Sequence, residues 1–405
     1  MEHFSVGRRR AVFAAVATGY ILSQFYRSFL TVVVDELTRD LGIGSKEFGA
    51  LGAAWFFTFA AMQIPVGIWL DRFGARRTML TMMGMAVAGA ILFAVANGFW
   101  MAAAGMALIG FGCAPILMGA FYFFARTEAP ARFAVLSSVF LGVGLLGGLL
   151  AAAPLALLVK AVGWRAAFFG MAGITFLSLM LIAIVFRDPP RLASEDEEGG
   201  MLEALRVLLR APGMPAILML SLVVSGAVWT ERSLWIGPFF GEVHGLDPIA
   251  RGHVALAMGT AMTLCALLAG PIAGWVGQPK YVTLAGTMIA STAFLALALM
   301  PDAPLMLAVV LVCQIGLFGA TYAVMVGHAR LFMPQHVIGR GITLINFINI
   351  GGTGLMQYGS GAYVAHLKAT GLPAGQVFSS LHLAFGCLML VGALVYASAP
   401  ARPKP

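Results

Sequence analysis

The chain has 405 residues, 60% of them hydrophobic and only 10% charged, with a mean hydropathy of +0.92. A soluble globular chain carries about 25% charged residues, so this one cannot cover a water-facing surface and must take lipid as its solvent. Its formal net charge of +8 sits in short loops beside apolar runs, the pattern of the positive-inside rule, and no nucleic-acid partner is expected.

A membrane-spanning helix needs about twenty apolar residues. Twelve such segments can be drawn, over 11–34, 48–70, 76–96, 101–124, 133–159, 164–186, 212–240, 251–276, 280–299, 304–331, 337–366 and 376–398. The apolar run after Arg8-Arg9-Arg10 is too long for a signal peptide and lacks a small-residue cleavage site, so it reads as a retained first helix. Seventeen of the 25 Lys and Arg residues then fall on one side of the membrane and six on the other, with Arg27 and Arg232 inside spans. The richer side is read as cytoplasmic, with both termini on it.

Span 1 contains YILSQFYRSFLTVVVDEL, which sets Tyr20, Gln24 and Arg27 on one stripe of a 3.6-residue period. An Arg within hydrocarbon costs about 2.5–3.5 kcal/mol on insertion scales. Arg27 therefore either faces the interior of the bundle or snorkels to water at the outer end of the span.

Span 2 ends in GIWLDRFGARR, from Gly67 to Arg77. With Gly67, Asp71, Arg72, Gly74, Arg76 and Arg77, this stretch resembles the loop between helices 2 and 3 of major facilitator superfamily transporters. The resemblance implies an all-α membrane protein of twelve helices in two pseudo-symmetric six-helix bundles, transporting by alternating access around a midplane site, and a monomer. Gly67 would let helix backbones approach closely. Asp71 would accept from the free N–H groups at a helix start or pair with Arg. Asp71, Arg72 and Arg76 then form a conformational latch, or the arginines only enforce topology. The charged stretches Arg126–Arg132, Arg330–Pro334 and Gly339–Gly341 are similar to further superfamily loops and are assigned to gating.

The expected domains are 1–186, a cytoplasmic linker over 187–211, and 212–405. The linker opens with Pro189-Pro190, carries Glu195-Asp196-Glu197-Glu198 and turns amphipathic, as a solvated connector with a short surface helix would.

In span 7, Glu231-Arg232-Ser233-Leu234 aligns with Tyr26-Arg27-Ser28-Phe29 of span 1. The YRSF stretch, followed by Lys46-Glu47-Phe48-Gly49, resembles span 1 of glycerol-3-phosphate-transporter-like organic-anion carriers. Those carriers clamp an anion between one Arg in span 1 and another in span 7, the places Arg27 and Arg232 would fill. A guanidinium fork suits carboxylate or phosphate. Glu231 is a proton carrier or a member of a static ion pair, with Arg27 as its candidate partner.

Span 11 repeats Asn346, Asn349, Thr353 and Gln357 at helical spacing. Their groups either hold substrate or join helices by hydrogen bonds. Tyr122, Tyr322, Gln63 and Gln314 are further cavity candidates. Cys113, Cys265, Cys313 and Cys387 have no ligand or disulfide spacing and read as small core hydrophobes. His328, His336 and His382 are assigned structural roles, and no metal or cofactor is expected. There is no phosphate-binding G-x-x-x-x-G-K-[ST] loop and no hydrolase motif, so the chain is not read as an ATP-driven pump or an enzyme.

The favoured reading is a secondary active transporter that moves a small organic anion across the inner membrane, coupled to protons or to a counter-anion. The alternatives are a drug or amphiphile exporter of the same fold, and a non-transporting receptor or assembly factor.

Overall fold

A computed structural model of the protein describes residues 6–128, 130–189, 206, 209–333 and 338–402. Among them every regular element is helical, because lipid offers no partner for backbone N–H and C=O groups and a helix satisfies its own. The first ten helices are α1 (Val6–Tyr26), α2 (Val34–Leu41), α3 (Ser45–Ala61), α4 (Gln63–Phe73), α5 (Ala75–Ala94), α6 (Phe99–Cys113), α7 (Pro115–Thr127), α8 (Pro130–Leu150), α9 (Ala153–Val162) and α10 (Trp164–Val185). After the connector come α11 (Met214–Thr230), α12 (Ile236–Glu242), α13 (Pro248–Val276), α14 (Pro279–Leu299), α15 (Leu305–Gly319), α16 (Tyr322–Arg330), α17 (Ile338–Ala369) and α18 (Ala374–Ala397). Most of the expected linker, and the loop residues 334–337, lie outside the described residues.

Nine helical stretches among the described residues are long and apolar enough to cross a membrane, or ten with the bent pair α8–α9. The protein is a multi-pass membrane protein. Two of the twelve expected spans, those of α1 and α17, are helical but are not among these stretches. Large apolar side chains such as Leu177, Ile184 and Leu268 point outward, where lipid covers them. Of the four cysteines, Cys113 and Cys265 are buried, Cys313 is half-buried and Cys387 is exposed, so the last lies outside the core position expected for it.

Two compact units make up the chain. One takes the sequence up to Ile43 and again from Ala54 to the connector; the other takes Gly44–Ala53 and everything after the connector. In the first, α5 packs on α6 and α10, and α1 packs on α8 and α10. At the α5–α6 crossing a side chain on Gly89 would begin 2.7 Å from the Gly105 carbonyl oxygen, and one on Gly105 would begin 2.9 Å from that of Gly89. Small residues there let the backbones touch, which is how helices associate in lipid. Gly147 of α8 does the same against the Ile21 carbonyl of α1.

In the second unit α11 packs on α17 and α18, and α14 on α15 and α18. A ladder of side chains joins α11 and its continuation to α17. Asn349 Nδ2 donates to Ser225 Oγ at 2.5 Å, Gln357 Nε2 to Ser233 Oγ at 2.8 Å, and Trp235 Nε1 to Ser360 Oγ at 2.8 Å. At one end of this unit the chain after α18 is held down. Lys280 Nζ donates to the carbonyls of Ala397 (2.7 Å) and Ala399 (2.5 Å). His328 contacts the Pro400 carbonyl through Nε2 at 3.1 Å and the Tyr396 hydroxyl through Nδ1 at 2.7 Å.

Candidate substrate and coupling site

Each unit's first long helix loses its regular winding at its arginine. α1 stops at Tyr26; Arg27 and Ser28 form a turn, and a 3-10 turn follows over Leu30–Val32. The second unit keeps its helix but widens it into a π turn over Glu231–Trp235, with Arg232 inside. Interrupted and π-wound turns cluster at functional sites because they redirect side chains and free backbone groups.

Arg27 is half-buried, and its neighbours fix it. Tyr26 is buried and its hydroxyl shares a 2.9 Å hydrogen bond with Thr175 Oγ1 of α10. Phe29 is buried with its ring centroid 4.5 Å from that of Phe168. Between these anchors the Arg27 guanidinium carbon stands 5.1 Å from the centre of the Trp55 ring and 5.3 Å from that of Phe59. Those two rings are stacked, 4.8 Å apart, so the cation lies over an aromatic plate. One turn back, Gln24 Nε2 donates to the Tyr20 hydroxyl at 2.9 Å, and Tyr20 stacks on Phe140 at 5.0 Å. The expected stripe is thus contiguous. Trp55 and Phe59 were not anticipated; their signal in the sequence is an aromatic pair at i, i+4 in α3.

Arg232 is only 5% exposed. Its guanidinium carbon is 5.9 Å from the centre of the Trp229 ring. A side chain on Gly259 of α13 would begin 2.6 Å from Arg232 Nη2, so the absence of one makes room for the guanidinium. Glu231 Oε2 lies 3.4 Å from His382 Nε2 of α18, an ionisable neighbour within its own unit. In the polar stripe, Asn349 and Gln357 take part in the α11–α17 ladder, so helix-to-helix bonding is what they do here. Asn346 Oδ1 accepts from the Tyr322 hydroxyl at 3.3 Å. Tyr122 lies beneath the Arg126 guanidinium, 4.0 Å from its ring centre.

The sequence profile of the Major Facilitator Superfamily matches residues 16–357. The chain belongs to that superfamily. Facilitator chains are transporters of small molecules, not enzymes. The "Probable sulfoacetate transporter SauU" of Cupriavidus necator is 23% identical over 190 residues, 45% of this facilitator and 42% of that protein. The "Uncharacterized transporter YybO" of Bacillus subtilis strain 168 is 22% identical over 293 residues, 67% of this chain and 65% of that one. Both matches span less than two thirds of the relative's length. Among solved structures, a bacterial homologue of the human lysosomal transporter Spinster superposes with a TM-score of 0.76 at 18% identity, over 99% of this chain and 100% of that chain. That likeness is one of fold.

Gly74 and Arg76 of the signature loop make contacts inside the first unit. Gly74 has φ +85° and ψ 162°, a backbone shape essentially confined to glycine. A side chain there would also begin 2.7 Å from Asp188 Oδ2. Asp188 Oδ1 accepts from the Arg76 backbone N–H at 2.9 Å, at the start of α5. Asp188 is thus an acid at the N-terminus of α5; the side chain of Asp71 lies outside the described residues. Arg76 Nη2 donates to the Ala183 carbonyl of α10 at 2.7 Å. Arg72 is exposed and stands 5.4 Å from the Phe73 ring centre. Among the described residues outside its own stretch of helix, no heavy atom lies within 4 Å of where a Gly67 side chain would begin; close backbone approaches are found at Gly89 and Gly105.

Proposed function

We propose that this facilitator carries a small organic anion by alternating access, with the Arg27 guanidinium as principal anion contact and Arg232 as its counterpart in the second unit. The observation that carries the reading is Arg27 itself, half-buried over Trp55 and Phe59 at the break in α1. A snorkelling arginine would leave its stem along lipid and its head in water. One laid on two stacked rings is held inside the unit, and its guanidinium fork matches a carboxylate, phosphate or sulfonate. The relative named as a sulfoacetate transporter supports an anionic cargo. Gln24 and Tyr20 supply further polar groups one and two turns away, and Asn346 with Tyr322 extends the polar lining of the second unit. The charge bias of the loops supports an inner-membrane location with both termini cytoplasmic. Coupling is to protons or to a counter-anion.

The test is a thermal-shift and binding screen of the purified chain against carboxylates, sulfonates (sulfoacetate among them) and phosphates. An anion is expected to stabilise the wild type, to lose its effect in Arg27→Ala and to keep a reduced effect in Arg27→Lys. Equal stabilisation of all three proteins would remove Arg27 from the site. Stabilisation by neutral or cationic amphiphiles alone would favour the exporter.

A further inference from the structure

Glu231 and His382 stand outside the anion contacts just described. Both side chains have 0% exposure, and the 3.4 Å between Oε2 and Nε2 is within ion-pair reach. Among the described residues, neither carboxylate oxygen and neither ring nitrogen has a hydrogen-bond partner. Around the imidazole stand Phe239, Phe294 and Phe378, with ring centroids 4.8, 6.0 and 6.5 Å away. The pair is thus an acid and a base in an apolar cage. The π turn that begins at Glu231 adds a residue to the helical winding there.

Charge counting then constrains what the pair holds. A carboxylate beside a neutral imidazole leaves one uncompensated negative charge away from water, which costs several kcal/mol. One proton removes it, bound either as carboxylic acid or as imidazolium. The charged groups nearest in the surrounding elements meet other neighbours, and His253 of α13 and His366 of α17 are exposed. Arg232, next in sequence, packs against Gly259 of α13. Glu242 of α12 is 2.7 Å from Lys368 of α17. Arg251 of α13 lies against Gly241, and Lys280 of α14 binds the chain end beyond α18. The His244 ring, after α12, stacks near Phe240 at 5.3 Å. A static lock would fill the remaining lone pairs with donors; these stay open.

We propose that Glu231 and His382 together hold one exchangeable proton, and that this proton is the coupling ion. Water on one side of the membrane gives it up, an O–H or N–H bond forms on the pair, and water on the other side receives it. Only a proton moves, so no oxidant or co-reactant is needed. The proposal rests on the transport reading above and commits it to protons over a counter-anion.

The decisive experiment is infrared difference spectroscopy of the purified full chain, titrated across pH. A carboxylic-acid carbonyl band that appears on acidification is expected. It should vanish in Glu231→Gln and shift its midpoint in His382→Gln, a coupling that a purely structural role for His382 would not produce. Absence of a band that depends on Glu231, or an unmoved midpoint in His382→Gln, overturns the proposal. A second arm uses proteoliposomes, sulfoacetate as probe and the membrane potential clamped at zero. One coupled proton supports about tenfold accumulation per pH unit. Glu231→Gln is expected to lower the ratio of gradient-driven uptake to exchange by about that factor; an unchanged ratio overturns the proposal. If the wild type does not move sulfoacetate, the cargo reading is what fails, and the infrared titration decides the proton.

Discussion

Arg27 and Arg232 occupy matching places in the repeated sequence pattern, yet their surroundings differ. Arg27 follows a helix break and lies half-buried across Trp55 and Phe59. Arg232 sits inside a π turn, nearly fully buried, in room left by Gly259. The first has an aromatic floor and is only half-buried. The second is packed in, and the residue before it faces a histidine. The difference suggests a division of labour. A part-exposed guanidinium suits a ligand that comes and goes, whereas a sunken one beside a buried acid suits the control of charge.

The largest expected effect tests the half-buried arginine. Replacing Arg27 by Ala should weaken binding of an anionic ligand by about 10–100-fold, the worth of a charge-assisted hydrogen bond, measured by titration calorimetry. An equal loss in Arg232→Ala would erase the contrast between the two sites. Next comes Gly259→Ala, whose new methyl would begin 2.6 Å from Arg232 Nη2. We expect a loss of about 1–3 kcal/mol in stability from overpacking, read as a lower Tm, and the loss should shrink when Arg232→Leu is added. Trp55→Leu keeps an apolar contact but removes the ring under Arg27. It should weaken anion binding by about 0.5–2 kcal/mol and leave the Glu231 infrared band in place.

The smallest effect lies away from both arginines and serves as the baseline. Trp164 Nε1 donates to Asp40 Oδ2 at 2.8 Å, and Arg39 Nε reaches Oδ1 at 2.8 Å. The indole hydrogen bond first, and the Arg39 contact second, hold the Asp40 carboxyl below its ordinary range. A depressed folded-state value stabilises the fold above the unfolded value of about 3.9, and this is lost as pH falls through the folded one. Trp164→Phe should therefore cost about 0.5–1.5 kcal/mol at neutral pH. The difference in Tm from wild type should narrow in acid.

The spans were legible because a run of about twenty apolar residues has few alternatives in a chain so poor in charge. Arg27 and Glu231 were legible for the converse reason, since an ionisable group inside such a run calls for a partner or a task. The partners were not. Trp55, His382 and Asp188 are distant in sequence from the groups they meet, and each looks ordinary where it stands. The π turn left no mark either, because Glu231–Trp235 contains neither Pro nor Gly. The stripe of α17 was legible as polar, but its division between helix contacts and lining follows from which face meets Ser225 and Ser233. Periodicity alone does not fix that.

The fastening of the segment beyond α18 bears on how the protein should be handled at the bench. Ala397, Ala399 and Pro400 give their carbonyls to Lys280 and His328. Trimming the chain before Ser398 would leave the Lys280 ammonium short of an acceptor that water cannot easily replace. Affinity handles and reporters should therefore be attached beyond Pro400, with a spacer.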